Sequence, residues 1–527
     1  MRTLIKNGFV IDGSGSEGFY GSVVIDGERI SYVGKSAAVC YERVIDAKGK
    51  VVCPGFIDTH SHSDLKLLEQ PFQAPKICQG ITTEVLGQDG ISMAPLPKKY
   101  TAEWKKNLAG LDGESDRISW EYPDTASYLS GLENAGICTN AAYLIPHGNV
   151  RLEVMGLTDR KATREELDEM KRVVKREMEA GALGLSSGLI YIPCAYGDVD
   201  ELTALCSVVA EYDGVFVVHQ RSEAELILSS MDEILEVARR SGVRIHFSHF
   251  KACGKKTWAL VPQMLEKLDK AREQGIRISF DQYPYVAGST TLSVVMPPWV
   301  QADGMNRMLE ILSDETQLQK IEKEILSENC GWDNFFDFAG AENIYITYVG
   351  SEKNADLIGK SIAEIAQLWG MTPVRAAAKL LVDEKNAVSM VDFYGTEEHV
   401  KLFLSRPEQN VCTDGLLSGK PHPRVYGAFA RVLGKYVREE RLMPLHTAVY
   451  KMTGKAAQAM SIKERGLLKE GFFADVVIFD KDKIIDKGDY KDPCHHPDGV
   501  DTVIVNGKIV FAQGQKFRMC SGKVIRR

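Results

Sequence analysis

His60 and His62 stand two residues apart at the end of an apolar run, in "PGFIDTHSHSD" (residues 54–64). Side chains at i and i+2 of a strand leave the same face. Two imidazoles side by side at a strand end are the beginning of a metal site. Other apolar runs end in the same kind of residue. His219 closes "GVFVVHQR", His249 closes "VRIHFSHF" and Asp414 closes "NVCTDG". His246, three residues before His249, falls on the opposite strand face and reads as a packed or exposed histidine, not a ligand. Imidazole and carboxylate donors suit zinc, with positions left for water and substrate. Such an ion lowers the pKa of bound water to ~7, which makes hydroxide available for attack on a carbonyl. Asp414 is then the natural general base for that water, and later the acid for the leaving nitrogen.

These residues meet only if their strands run parallel into one mouth. The middle of the chain alternates in the way this requires. "TREELDEMKRVVKREMEAG" reads as an amphipathic helix followed by the strand-like "ALGLSSGLIYI". "DELTALCSVVAEYDG" leads into "VFVVHQR", "MDEILEVARRSG" into "VRIHFSHF", and "TWALVPQMLEKLDKAREQG" into "IRISFDQYPY". Helix then strand, repeated, is the βαβ pattern, and over residues 54–466 it predicts a (β/α) barrel. Residues about 292–341 break the rhythm and read as a helical insertion after a barrel strand, placed to act as a lid. The two ends differ from the middle. Residues 1–53 and 467–527 are short β-rich runs cut by turns, with an Asn-Gly hairpin signal in "VNGK". They predict a β-sandwich built from both termini.

The bulk numbers narrow the function. The 527 residues are 26% charged and 44% hydrophobic, with net charge −8, so no nucleic-acid partner is expected. No uncharged apolar stretch is long enough to span a bilayer, so no membrane association is expected either. The start, "MRTLIKNGFVIDGSG", lacks a signal-peptide pattern. Eleven scattered cysteines with no CxxC pair read as reduced thiols, which points to the cytoplasm. The expected partner is a small-molecule substrate, and the expected state a monomer or small homo-oligomer.

"PGFIDTHSHSD", "VVHQRSE", "FSHFK", "TDG" and "GFFADVVIFD" resemble the amidohydrolase superfamily. "QGITTEVLGQDGISMAPL", "GALGLSSGLIYIPCAYG", "SHFKACG", "DQYPYVAGSTTL" and "HPRVYGAFARVLG" resemble, more narrowly, its D-aminoacylase branch, the N-acyl-D-amino-acid deacylases. The resemblance runs nearly end to end. It implies an α/β fold, a distorted TIM-like barrel of seven or eight strands with a terminal β-sandwich and a small insertion. It implies hydrolysis of an N-acyl-D-amino acid to a carboxylate and a free D-amino acid. His60, His62, His219, His249 and Asp414 match its metal and base positions. At Asp89 the branch usually carries a cysteine ligand. A carboxylate there is a harder donor, and the expectation is one tight zinc ion with a second position left open. No lysine in "ALGLSSGLIYI" offers a carboxylated-lysine bridge.

A substrate α-carboxylate needs cationic and hydroxyl partners. Lys251, two residues past His249, shares its strand face, and Arg424 lies on the loop after Asp414. With the matching Tyr283 and Ser289, they are the expected carboxylate clamp. Tyr285 is a further candidate, and Tyr191 is a candidate for the acyl end or oxyanion. "TLSVVMPPWVQADGM" has no lysine or arginine but carries Met296, Trp299 and Met305, which suggests hydrophobic D-residues. His147 fits a structural role as well as a catalytic one, His422 reads as a loop former, and "CHHPDG" at 494–499 falls away from the barrel mouth. The competing readings are a dipeptidase for dipeptides with a C-terminal D-residue, a cyclic amidase of the hydantoinase or dihydroorotase type, and a scaffold without activity. The last is disfavoured because every expected ligand is present.

Overall fold

The computed structural model describes all residues except 37–39, 328–329, 513–514 and 518–520. Eight short strands form the centre: Phe56–Asp58, Ile81–Leu86, Asn140–Tyr143, Gly184–Gly188, Val215–His219, Arg244–Phe247, Ile278–Gln282 and Gln409–Val411. Neighbours pair in parallel within the first three strands and within the last five, as in Val217 with His246 and Phe247 with Phe280. Ser61 bridges Gly415 and so joins the first strand to the last. The fold is a distorted TIM-like barrel with an added sheet domain.

The sequence explains the units. Strands such as Val215–His219 are buried along their whole length, which is why they read as unbroken apolar runs. The helix Arg164–Glu179 begins with a capping box, in which Thr163 and Glu166 satisfy each other's backbone N–H. It buries Met170, Val173, Val174 and Met178 on one stripe. The distortion lies between the third and fourth strands. There Val524–Ile525 pairs in parallel with Ala141 and Ala142, and the Arg527 N–H donates to Gly181 O. This short strand therefore leaves the terminal sheet and wedges into the barrel floor.

Both termini share one nine-stranded sheet. Val51–Pro54 from the N-terminal part pairs antiparallel with Val476–Phe479 from the C-terminal part. The Asn-Gly turn has φ 47° at Asn506 and 77° at Gly507, as a type I′ hairpin needs. The helical segment expected at about 292–341 belongs to a longer excursion. Between the seventh and eighth barrel strands the chain forms a three-stranded antiparallel sheet, Ala287–Thr291, Ile344–Val349 and Val388–Phe393, with five α-helices between its strands among the described residues. Its later strands alternate with helices just as barrel strands do, so the pattern alone hid them. Among the described residues no helix is long and apolar enough to cross a membrane.

Candidate metal centre

Six candidate ligands converge at one end of the barrel. His60 and His62 follow the first strand, Asp89 follows the second, His219 ends the fifth, His249 follows the sixth and Asp414 the eighth. Three of them bend inward through left-handed backbone: Asp89 has φ 54°, His249 34° and Asp414 46°. That conformation is uncommon outside glycine, and at His249 and Asp414 it is held by specific bonds. The His249 N–H donates to Asp281 Oδ1 at 2.5 Å. The Asp414 N–H donates to His60 O at 2.9 Å. Asp281 also accepts from Thr59 Oγ1 at 3.0 Å and lies 2.9 Å from His246 Nε2, so His246 is packed behind the site.

His60 Nε2 and His62 Nε2 are 3.3 Å apart. Asp414 Oδ1 lies 3.3 Å from His62 Nε2 and 3.7 Å from His60 Nε2. Asp89 faces both halves. Its Oδ2 is 3.5 Å from each of His60 and His62, and its Oδ1 is 3.8 Å from His249 Nε2. His219 Nδ1 is 2.9 Å from His249 Nε2. Among the described residues three donor sets emerge: His60–His62–Asp414, His60–Asp89–His249 and His219–Glu223–His249. Asp89 Oδ1 is buried without a hydrogen-bond donor, which leaves a lone pair aimed into the cluster. Nitrogen and oxygen donors crowded this way fit a zinc-like cation, and Asp89 turns one oxygen toward each half of the cluster.

Glu223 is the residue that sequence reasoning missed. It lies four positions after His219, within the quoted "HQRSE". Its Oε1 is 3.1 Å from His249 Nδ1, and its Oε2 is 2.6 Å from Lys251 Nζ. A carboxylate one turn beyond a strand-end histidine was the available signal.

The charges are tightly balanced. Burial works against a charged His62, but hydrogen bonds to Asp414 and Asp89 push it up to about 10. Burial and Lys251 also oppose charge on His249, yet Glu223 and Asp89 bring it to about 9. Burial dominates at His219 and lowers it to about 4. His62 and His249 therefore bind protons at neutral pH until a metal displaces them. Zinc uptake at pH 7 is expected to release about two protons, and affinity is expected to rise with pH. Titration calorimetry in buffers of different ionisation enthalpy measures this. Heats that do not depend on the buffer would contradict it.

The cavity beside the ligands is lined by Tyr191, Lys251, Tyr283, Ser289 and Asp392, with apolar walls from Leu111, Ile190, Phe335 and Phe338. Tyr191 shares a hydrogen bond of 2.8 Å with Thr290. The Tyr394 hydroxyl donates to Tyr283 at 2.9 Å, and the Arg424 guanidinium lies 4.3 Å above the Tyr283 ring. Arg424 is fully buried behind the cavity wall, 2.8 Å from Asp414 Oδ2 and 2.9 Å from Ser289 O. Ser289 Oγ donates to Met390 O. Tyr285, expected to bind substrate, does not line this cavity. Its hydroxyl is 3.3 Å from Asp486 Oδ2, and its ring packs on His422. The reason is that the strand ends at Gln282 and the chain turns, with the Tyr285 N–H donating to Tyr283 O, so strict alternation is lost. Met296, Trp299 and Met305 do not line the cavity either. His147 is buried between Ser187 and Glu201, His422 lies 3.0 Å from Ala287 O, and His495 is exposed.

The amidohydrolase family profile matches residues 43–319 and 410–511. The chain belongs to the amidohydrolase family. The unmatched residues 320–409 fall largely in the excursion between the seventh and eighth strands. Among amidohydrolases, the chain is 34% identical to an N-acyl-D-glutamate deacylase of Alcaligenes xylosoxydans xylosoxydans, over 100% of this chain and 97% of that one. The crystal structure of an N-acyl-D-glutamate deacylase from Bordetella bronchiseptica, complexed with zinc and a phosphonate inhibitor, matches with a TM-score of 0.84 and 32% identity. It is covered to 99%, and this chain to 100%. A D-aminoacylase with a binuclear metal centre matches with a TM-score of 0.83 and 31% identity at the same coverage.

Proposed function

We propose that the protein is a cytoplasmic, zinc-dependent deacylase that hydrolyses N-acyl-D-amino acids to a carboxylate and a free D-amino acid. One observation carries the reading: five of the six candidate ligands and the cation Lys251 line a single cavity, with His60 packed against those ligands and Arg424 directly behind the wall. The similarity to deacylases over the whole chain supports it. His60, His62, Asp89, His219, His249 and Asp414 would hold one tight zinc ion, with a second position open. When bound, zinc supplies a Lewis acid that activates water and polarises the amide carbonyl.

The chain's own residues do the rest. Burial opposes charge on Asp414, but Arg424 and the surrounding histidines hold its carboxyl far below the usual range. It is therefore ionised at neutral pH, and its place among the candidate ligands, rather than its basicity, is what would let it take a proton from water and pass it to the leaving nitrogen. Lys251, Tyr283 and Ser289, backed by Arg424, receive the substrate α-carboxylate. Burial opposes the charge on Lys251, and Glu223 restores it. Tyr191 faces the acyl end. Leu111, Ile190, Phe335 and Phe338 favour a hydrophobic D-side chain such as leucine, methionine or phenylalanine.

The test compares zinc-loaded protein on N-acetyl-D-methionine and N-acetyl-L-methionine, following release of free amine. Release from the D-form alone is expected. Equal release from both would remove the stereochemical claim. Release from neither, with metal bound, would redirect the search to dipeptides and cyclic amides.

A further inference from the structure

Asp392 carries a buried carboxylate that the proposed reaction does not use. It lies opposite Gly288 in the antiparallel pairing of Val388–Phe393 with Ala287–Thr291, and it is 3% exposed. Both residues line the cavity beside the candidate ligands. A Cβ on Gly288 would sit 3.1 Å from Asp392 Oδ1, so the carboxylate lies over bare backbone. Among the described residues it has no ion-pair partner. The cations that act on its charge, Lys251 and Arg424, are held by Glu223 at 2.6 Å and Asp414 at 2.8 Å. A desolvated carboxylate without a counter-ion is costly, and a substrate group placed beside it feels that directly.

We infer that Asp392 is a specificity residue that rejects N-acyl-D-amino acids with an acidic side chain. The inference rests on the deacylase reading. In that reading the α-carboxylate occupies Lys251 and its neighbours, and Lys251 is the only lysine or arginine in the described lining of this cavity. A second carboxylate, on the side chain, finds no further cation there. It meets Asp392 and Glu223 instead. Such a like-charge juxtaposition is how a site discriminates against a partner. A neutral side chain of the same shape escapes that penalty, and the apolar wall accepts it. The chain would thereby differ in specificity from the N-acyl-D-glutamate deacylases that it resembles in fold.

Burial pushes the Asp392 carboxyl up to about 7, while Lys251 and Arg424 counter the shift and Glu223 adds to it. Cys253, Tyr394 and Tyr490 also lie within electrostatic range. The assay therefore belongs at pH 8.5, where Asp392 is ionised. Protonating it to admit an acidic substrate then costs about tenfold per pH unit, or roughly thirtyfold.

The experiment measures kcat/KM for N-acetyl-D-glutamine and N-acetyl-D-glutamate, which differ in charge and hardly in shape. It uses the zinc-loaded wild type, Asp392→Asn and Asp392→Ser. The wild type is expected to favour the glutamine derivative by about thirtyfold, and either variant is expected to bring the ratio to within a few-fold while retaining turnover of the glutamine derivative. A wild-type ratio near one would overturn the inference even if both variants fail to fold. So would a large ratio unchanged in a folded variant. If the wild type turns over no N-acetyl-D-amino acid, the deacylase reading itself fails and this inference falls with it.

Discussion

Asp414→Asn is expected to lower kcat by about 10³-fold while leaving KM within a few-fold of the wild type. The amide keeps the shape of the side chain but cannot take up the proton from water. The His219–His249 half of the cluster is untouched, so zinc is expected to remain bound, which elemental analysis checks. The substitution also leaves Arg424 buried without its carboxylate, and some loss of stability follows. A melting curve separates that loss from the loss of chemistry. Activity within tenfold of the wild type, in folded and zinc-loaded protein, would remove Asp414 from the role of base.

The second large effect is expected at a residue that touches no substrate. Lys76 is completely buried, and its Nζ donates to Asp58 Oδ2 at 2.6 Å, Ser61 Oγ at 2.9 Å and Thr413 Oγ1 at 2.6 Å. The Thr413 N–H and hydroxyl both donate to Asp58 as well. One ammonium thus ties the start of the first strand's loop to the end of the eighth strand, between His60 and Asp414. Lys76→Met removes the counter-ion of Asp58 and of Glu84, whose Oε2 lies 3.6 Å from the ammonium, and strands their charge in the interior. Breaking a buried pair from one side costs about 3–5 kcal/mol. The expected result is a marked fall in thermal stability together with weakened zinc retention, partly restored in Asp58→Asn/Lys76→Met. A single variant as stable as the wild type would show that the pair is dispensable.

Why were His60, His62, His219, His249 and Asp414 legible in the sequence while Lys76 and Asp392 were not? The first group ends apolar runs, and a barrel sends every such end to one mouth. Position along a strand was therefore enough. Lys76 sits in a short helix, Ala74–Ile77, and nothing local marks it as buried. Its role depends on Asp58 and Thr413, and Thr413 is remote in sequence. Asp392 belongs to a strand that the helix–strand rhythm disguised as part of the barrel. Tyr285 is a candidate only through the family resemblance, and the strand ends at Gln282 before it, so that its hydroxyl reaches Asp486 instead. The terminal strands were legible because Asn-Gly turns and alternating apolar residues are local signals. Their pairing across the chain was inferred only from shared texture.

That pairing sets a schedule for biosynthesis. Val52 meets Ile478 in the shared sheet, so the strand Val51–Pro54, interior in the finished sheet, is made long before its C-terminal neighbour exists. At ~5–20 residues per second the wait is roughly 20–85 s. Throughout it, an apolar strand leading directly to His60 and His62 has an open hydrogen-bonding edge while it is still tethered to the ribosome. Chaperone capture during that interval would protect the nascent chain, and rapid heterologous overproduction would expose it to aggregation.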